Sequence, residues 1–229
     1  MGVRLPYRGW LFDLDGTVYR GEGLIPGAAE VIAALRAAGR RVAFLSNKPI
    51  QTRDDYAAKL TRLGIPTRSE DVVNSSLVLA RHLARTDPGA ACFVIGEPPL
   101  IGELKAHGLE VREDERVGWV VIAFDRTFTY AKLNTALQAV KRGARLIATN
   151  PDRTCPVADG EIPDCAGMIA AVEAVTGKTV ELIVGKPSPL MLEVALEVLG
   201  LAASETVIVG DRIETDVSMG KALGLGTVL

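Results

Sequence analysis

The chain has 229 residues, 48% of them hydrophobic, and 26 Lys and Arg against 28 Asp and Glu leave a formal charge of −2. This apolar content suffices for one large α/β domain or two modest ones and rules out disorder as the expected state. The basic residues are scattered and form no stripe, which argues against nucleic acid or an anionic membrane surface as a partner. Three cysteines, Cys92, Cys155 and Cys165, lack CxxC spacing, so the sequence predicts free thiols in a reducing compartment and no zinc site. With no leader pattern ahead of the first strand and no apolar run near a bilayer span, a soluble cytoplasmic protein is expected.

Short apolar runs compatible with buried parallel strands fall at residues 9–13, 41–46, 92–96, 119–124, 145–149, 181–185 and 206–210. The first closes on Asp13-Leu14-Asp15-Gly16-Thr17. Two carboxylates two residues apart at the carboxyl end of a buried strand are costly unless a cation neutralises them. The same five residues also read as an Asp-Gly turn. A helical pattern over 26–35 opens on Pro26 and stops at Gly39, and others cover 130–142, 168–175, 190–199 and 214–223. Strands alternating with helices predict right-handed βαβ crossovers and a sheet covered on both faces.

Ligands of such sheets gather outside the carboxyl ends of the strands. Four strands end in chemically loaded residues: Asp13, Ser46-Asn47-Lys48, Gly185-Lys186 and Gly210-Asp211. The middle three end more mildly, at Gly96, Asp125 and Asn150. The four loaded strands are therefore expected to share one sheet, formed by residues 1–75 and 179–229, with 76–178 inserted as a second α/β unit.

If the four ends meet, Asp13 is a carboxylate nucleophile that attacks phosphorus and forms an aspartyl-phosphate. Asp15, on the same side of an extended strand, is placed to protonate the leaving oxygen. Asp211 and Asp216 supply hard oxygen ligands suited to Mg²⁺. Ser46 offers a hydroxyl and Lys186 an ammonium to phosphate oxygens. Taken singly, Ser46-Asn47 reads equally as a helix cap, Lys186-Pro187 as a strand-to-helix turn, and Asp211 with Asp216 as a capped helix entry. Taken together, one chemistry explains all four.

These residues resemble the four motifs of the haloacid dehalogenase superfamily: Asp13-Leu14-Asp15-Gly16-Thr17 the first, Ser46 the second, Lys186 the third, and Gly210-Asp211 through Asp216 the fourth. Further stretches resemble the class IIA phosphatases related to p-nitrophenyl phosphatase, the NagD phosphatase, and the phosphoglycolate and pyridoxal phosphate phosphatases. They are Tyr19-Arg20-Gly21, Ile25-Pro26-Gly27-Ala28, Asn150-Pro151-Asp152 and the run from Ile169 to Gly177. The resemblance implies a Rossmann-like core with an inserted C2-type α/β cap that selects the substrate and often mediates a homodimer. It also implies Asp13 as nucleophile, Asp15 as general acid and base, and Mg²⁺ held by Asp13, the Asp15 carbonyl and Asp211, with Asp216 supporting the metal. Ser46, Asn47 and Lys186 then hold phosphate. The expected substrate is a small phosphorylated metabolite; transfer to a second substrate, as in a mutase, and a catalytically silent phospho-ligand-binding module are the rivals.

Two departures from the family pattern stand out. Lys48 replaces a common Asn, and Pro163-Asp164-Cys165-Ala166-Gly167 replaces a glycine-rich cap loop. Asp164 reads either as a carboxylate that disfavours a second anionic group on the substrate or as a helix cap. The residues Gly226-Thr227-Val228-Leu229 look like the opening of a last core strand, where relatives continue. His82 and His107 have no His or Cys partner at ligand spacing, and Trp10 and Trp119 read as packing residues.

Overall fold

The computed structural model describes residues 6–157 and 159–229. They fall into two compact units. The first runs to Ser46 and adds Arg53–Val73 and Lys186–Leu229; the second is Asn47–Thr52 with Asn74–Gly185.

The first unit is built on a five-stranded sheet in the order Gly226–Val228, Thr206–Val209, Gly9–Asp13, Arg41–Ser46, Val72–Asn74. Gly9–Asp13 pairs in parallel with Thr206–Val209 on one side and Arg41–Ser46 on the other. The chain fills the sheet outward from this strand in both directions, so Asp13 lies at the point where strand order reverses. Leu11, Phe44 and Leu45 are fully buried, which is why these segments read as continuous apolar runs. The helix Ala28–Ala37 turns Ile32 and Leu35 into the same core, three residues apart on one face. Burial of each such side chain contributes about 1.5–3 kcal/mol.

The second unit has its own five-stranded sheet, in the order Leu182–Ile183, Arg145–Ala148, Trp119–Ile122, Ala91–Ile95, Glu110–Arg112, with every neighbouring pair parallel. A separate hairpin pairs Thr154–Val157 with Gly160–Pro163. Cys92, Cys155 and Cys165 are buried free thiols in this unit.

The structure corrects one placement. The run at 181–185 was expected in the first sheet, but Leu182 pairs with Ile147 and Ile183 with Ala148 at the edge of the second. The helix Cys165–Thr176 carries the chain back beside the strand it has just left, a local crossover that a short apolar run cannot reveal. The second unit accordingly reaches Gly185 rather than 178, and Asn47–Thr52 packs with it. The three-residue strands Val72–Asn74 and Glu110–Arg112 were too short to stand out in sequence. The pattern at 214–223 resolves into a π-helical turn, Ile213–Val217, followed by the short α-helix Ser218–Ala222.

Candidate active site

Asp13 pairs with Leu45 across one side of its strand, so Ser46 lies one residue beyond it at the neighbouring strand end. On the other side Phe12 pairs with Val209, which brings Gly210-Asp211 alongside. After Asp13 the chain turns sharply, with Val18 N–H donating to the Leu14 carbonyl at 2.9 Å and Gly16 N–H to the Tyr19 carbonyl at 2.8 Å. Gly16 has φ +99°, and a Cβ there would stand 2.2 Å from an Asp211 carboxylate oxygen. A Cβ on Gly210 would stand 2.4 Å from Asp216. Both glycines therefore let backbone approach a carboxylate that any side chain would displace.

The carboxylates of Asp13, Asp211 and Asp216 converge, with one oxygen of each lying within 4.8 Å of the others. Asp13 and Asp216 are buried and Asp211 is exposed. Lys186 Nζ, itself buried, donates to Asp13 Oδ1 and to Asp216 Oδ1, the latter at 2.8 Å. Thr17 Oγ1 donates to Asp13 Oδ2 at 3.3 Å. The π-helical turn, in which Val217 N–H reaches back five residues to the Arg212 carbonyl, carries Asp216 to the cluster.

The electrostatics are those of an acid excess. Burial pushes the Asp13 carboxyl up to about 6, opposed by Lys186 and reinforced by Asp216 and Asp211. Burial works against the Lys186 ammonium, yet Asp13 and Asp216 outweigh it and hold the group above its ordinary value. One ammonium faces three carboxylates. An all-oxygen donor set with this surplus of negative charge fits a hard divalent cation such as Mg²⁺.

Among the other expected site residues, Ser46 is buried and its Oγ shares a 3.1 Å hydrogen bond with the Tyr56 hydroxyl. Asp15 is half-buried and pairs by a backbone bridge with Tyr19. Asn47 belongs to the second unit, where its Nδ2 donates to Asp152 Oδ2 at 2.9 Å. The structure thus gathers Asp13, Lys186, Asp211 and Asp216 directly, and sets Ser46 at the next strand end. Sequence reasoning quoted Thr17 within the first motif without giving it a role, and it missed Tyr56 and Lys59. The i, i+3 spacing of Tyr56 and Lys59 on the helix Arg53–Arg62 is the signal that was there to find.

At the carboxyl end of the second sheet, Glu97 and Asp125 each meet a cation. Arg126 forks onto Glu97, Nε to Oε1 at 2.8 Å and Nη2 to Oε2 at 2.7 Å. Lys132 Nζ donates to Asp125 Oδ2 at 2.5 Å, and the Thr127 amide and hydroxyl both donate to Asp125 Oδ1. Asp164 caps the helix Cys165–Thr176, accepting from the Cys165 amide at 2.6 Å, and also accepts from Asn150 Nδ2 at 3.0 Å. Burial raises its pKa, partly offset by those bonds and by Lys48. Of the two readings of Asp164, the structure shows the cap. His107 Nδ1 lies 2.9 Å from the Glu103 carbonyl at a helix end, and Trp119 Nε1 donates to Asp87. Among the described residues no helix is long and apolar enough to cross a membrane.

Comparison with known proteins gives a consistent outcome. Residues 10–110 match the haloacid dehalogenase-like hydrolase family model, and residues 183–229 match a second, HAD-hydrolase-like model. The sugar-phosphatase AraL of Bacillus subtilis is 45% identical over 222 residues, covering 96% of this chain and 82% of that protein. The acid sugar phosphatase of Staphylococcus saprophyticus is 36% identical, covering 97% and 85%. Among solved structures, the p-nitrophenyl phosphatase from Archaeoglobus fulgidus superposes with a TM-score of 0.93 at 35% identity, covering 98% of this chain and 86% of that one. The 4-nitrophenylphosphatase of Thermotoga maritima gives 0.91 at 34%, covering 97% and 85%.

Proposed function

This chain belongs to the haloacid dehalogenase-like hydrolases, and from that premise we propose that it is a magnesium-dependent phosphatase of small phosphorylated metabolites that works through an aspartyl-phosphate on Asp13. The observation that carries the proposal is the convergence of the Asp13, Asp211 and Asp216 carboxylates on one another, with the buried Lys186 ammonium bonded to Asp13 and Asp216 and negative charge left over.

The Asp13 carboxylate attacks phosphorus and the ester oxygen leaves with a proton from Asp15. Asp15 then takes a proton from water, whose oxygen attacks the acyl phosphate and releases inorganic phosphate while Asp13 is regenerated. Lys186 Nζ and the Ser46 hydroxyl donate to the phosphoryl oxygens, with Asn47 as a further donor. The side chains of Asp13, Asp211 and Asp216 and the Asp15 carbonyl would hold Mg²⁺, which supplies charge neutralisation between the nucleophile and an anionic ester. Lys186 alone cannot do that for three carboxylates. The second unit acts as the cap that selects the substrate, with sugar phosphates foremost because two relatives carry that activity in their names. The three reduced, buried cysteines support a cytoplasmic location.

A screen of phosphorylated metabolites, read as inorganic phosphate released with and without Mg²⁺, tests the proposal. Metal-dependent release from sugar phosphates is expected. Release that requires an added acceptor would point to phosphotransfer between substrates, and no release from any ester would refute a phosphatase.

A further inference from the structure

The helix Arg53–Arg62 belongs to the first unit and contributes none of the acids or phosphate ligands named above, yet it meets Ser46 at one place and the hairpin after the first motif at another. Tyr56 is 1% exposed, and its ring packs among Phe12, Leu14, Val18 and Phe44. Its only polar atom meets the Ser46 hydroxyl at 3.1 Å. One turn further on, Lys59 is 8% exposed. Its Nζ donates to the Gly21 carbonyl at 2.7 Å, stands 3.2 Å from Glu22 Oε1 and lies 3.9 Å from the centre of the Tyr19 ring. Tyr19 is the residue that bridges to Asp15, and Tyr19–Arg20 pairs with Gly23–Leu24 to form the hairpin leaving the first motif.

We propose that this helix is a positioning element of the site, Tyr56 setting the Ser46 hydroxyl and Lys59 setting the hairpin that follows Asp15; the inference rests on the phosphatase reading. A serine hydroxyl has one hydrogen and two lone pairs. To give its hydrogen to a phosphoryl oxygen it must be oriented, and a buried neighbour that donates to it leaves that hydrogen to point outward. Tyr56 is placed to be that neighbour: in the structure Ser46 Oγ donates to the Tyr56 hydroxyl, and as Ser46 turns to the phosphate the Tyr56 hydroxyl turns to donate in its place. A phenylalanine would fill the same core volume without this capacity. Lys59 is held by three partners at once, a carbonyl, a carboxylate and an aromatic face, all on one six-residue hairpin. A cation of that kind costs desolvation that a simple packing role would not require. Its contacts fix the backbone to which Asp15 is bridged.

The test separates binding from proton transfer. Tyr56→Phe is expected to raise KM for p-nitrophenyl phosphate, and the inhibition constant for inorganic phosphate, about five- to tenfold with kcat little changed, as for loss of one neutral hydrogen bond. In a Ser46→Ala background the same substitution is expected to add nothing, because its effect passes through Ser46. Additive losses, or an unchanged KM, would overturn the assignment of Tyr56. Lys59→Met is expected to lower kcat more for an alkyl phosphate, which needs a proton from Asp15, than for the aryl ester, which does not. Equal losses on both esters would overturn the assignment of Lys59. Should Lys59→Met fail to fold by circular dichroism, Lys59→Arg, which keeps a cationic donor on a different stem, reads the same contrast between esters. Wild-type protein that releases no phosphate would instead overturn the phosphatase reading itself, and this inference with it.

Discussion

Two parallel five-stranded sheets in one chain end in opposite ways. At the carboxyl end of the first, three carboxylates cluster, and Lys186 bonds two of them, Asp13 and Asp216, which leaves a surplus of negative charge. At the carboxyl end of the second, Glu97 is matched by Arg126 and Asp125 by Lys132, and Asp164 is spent on a helix terminus. Arg126 holds the Glu97 carboxyl below its ordinary value, whereas burial drives Asp13 above its own. The lesson is that acid residues at strand ends do not by themselves mark chemistry. An uncompensated acid excess does, because folding alone would not retain it without a cation or a reaction to serve.

The comparison can be broken or sharpened by experiment, and the largest effect is expected at Asp13. Asp13→Asn should reduce kcat by at least about 10⁴-fold, as for loss of a covalent nucleophile, with an unchanged circular dichroism spectrum. Substantial turnover by that variant would remove the centre from the first sheet end. Asp15→Asn should cost roughly 10²–10⁴-fold, and more for esters with poor leaving groups, as a plot of rate against leaving-group pKa would reveal. The next contrast sets Lys186→Met against Lys132→Met. Each strips a buried carboxylate of its ammonium and is expected to destabilise by about 3–5 kcal/mol in denaturant titration. Only Lys186→Met should also lower kcat/KM, by roughly 10²–10³-fold. Equal activity losses would mean that the second sheet end takes part in the reaction. Added Mg²⁺ should stabilise the wild type by about 2.7 kcal/mol at a hundredfold excess over its dissociation constant, read as a saturable rise in Tm. Asp211→Asn should weaken that rise, and a rise untouched by the substitution would place the cation elsewhere. The smallest effect belongs to Asp164→Ala, about 1 kcal/mol of stability from the lost cap with kcat within about twofold.

Much of this arrangement was legible in the residues themselves. Asp13, Lys186 and Asp211 each stand beside a short apolar run or a glycine, Asp216 follows Asp211 five residues on, and strand ends in α/β sheets are where ligands gather. The run at Leu182–Ile183 was misplaced because apolarity records burial and not which sheet provides it. Asn47 could not be separated from Ser46 by reading, since adjacent residues in sequence carry no sign that one packs with the first unit and the other with the second. Tyr56 and Lys59 were hidden for a different reason. Their roles come from partners 10 and 38 residues away, Ser46 and Gly21, and a helix pattern shows spacing but not what its face meets. The two odd residues, Lys48 and Asp164, turn out to be felt by one another, the lysine drawing down the carboxyl that burial lifts.

The close fit at Gly16 and Gly210 also has a consequence for how this enzyme can lose its activity. Neither residue carries a functional group, yet one added methyl at either would intrude on the oxygen or carbon atoms of Asp211 or Asp216. A Gly16→Ala or Gly210→Ala allele would keep every acid, base and hydroxyl in its sequence and still present a misshapen cradle. Intact motifs in a natural variant are therefore no guarantee of a working copy; the empty space between them is inherited too.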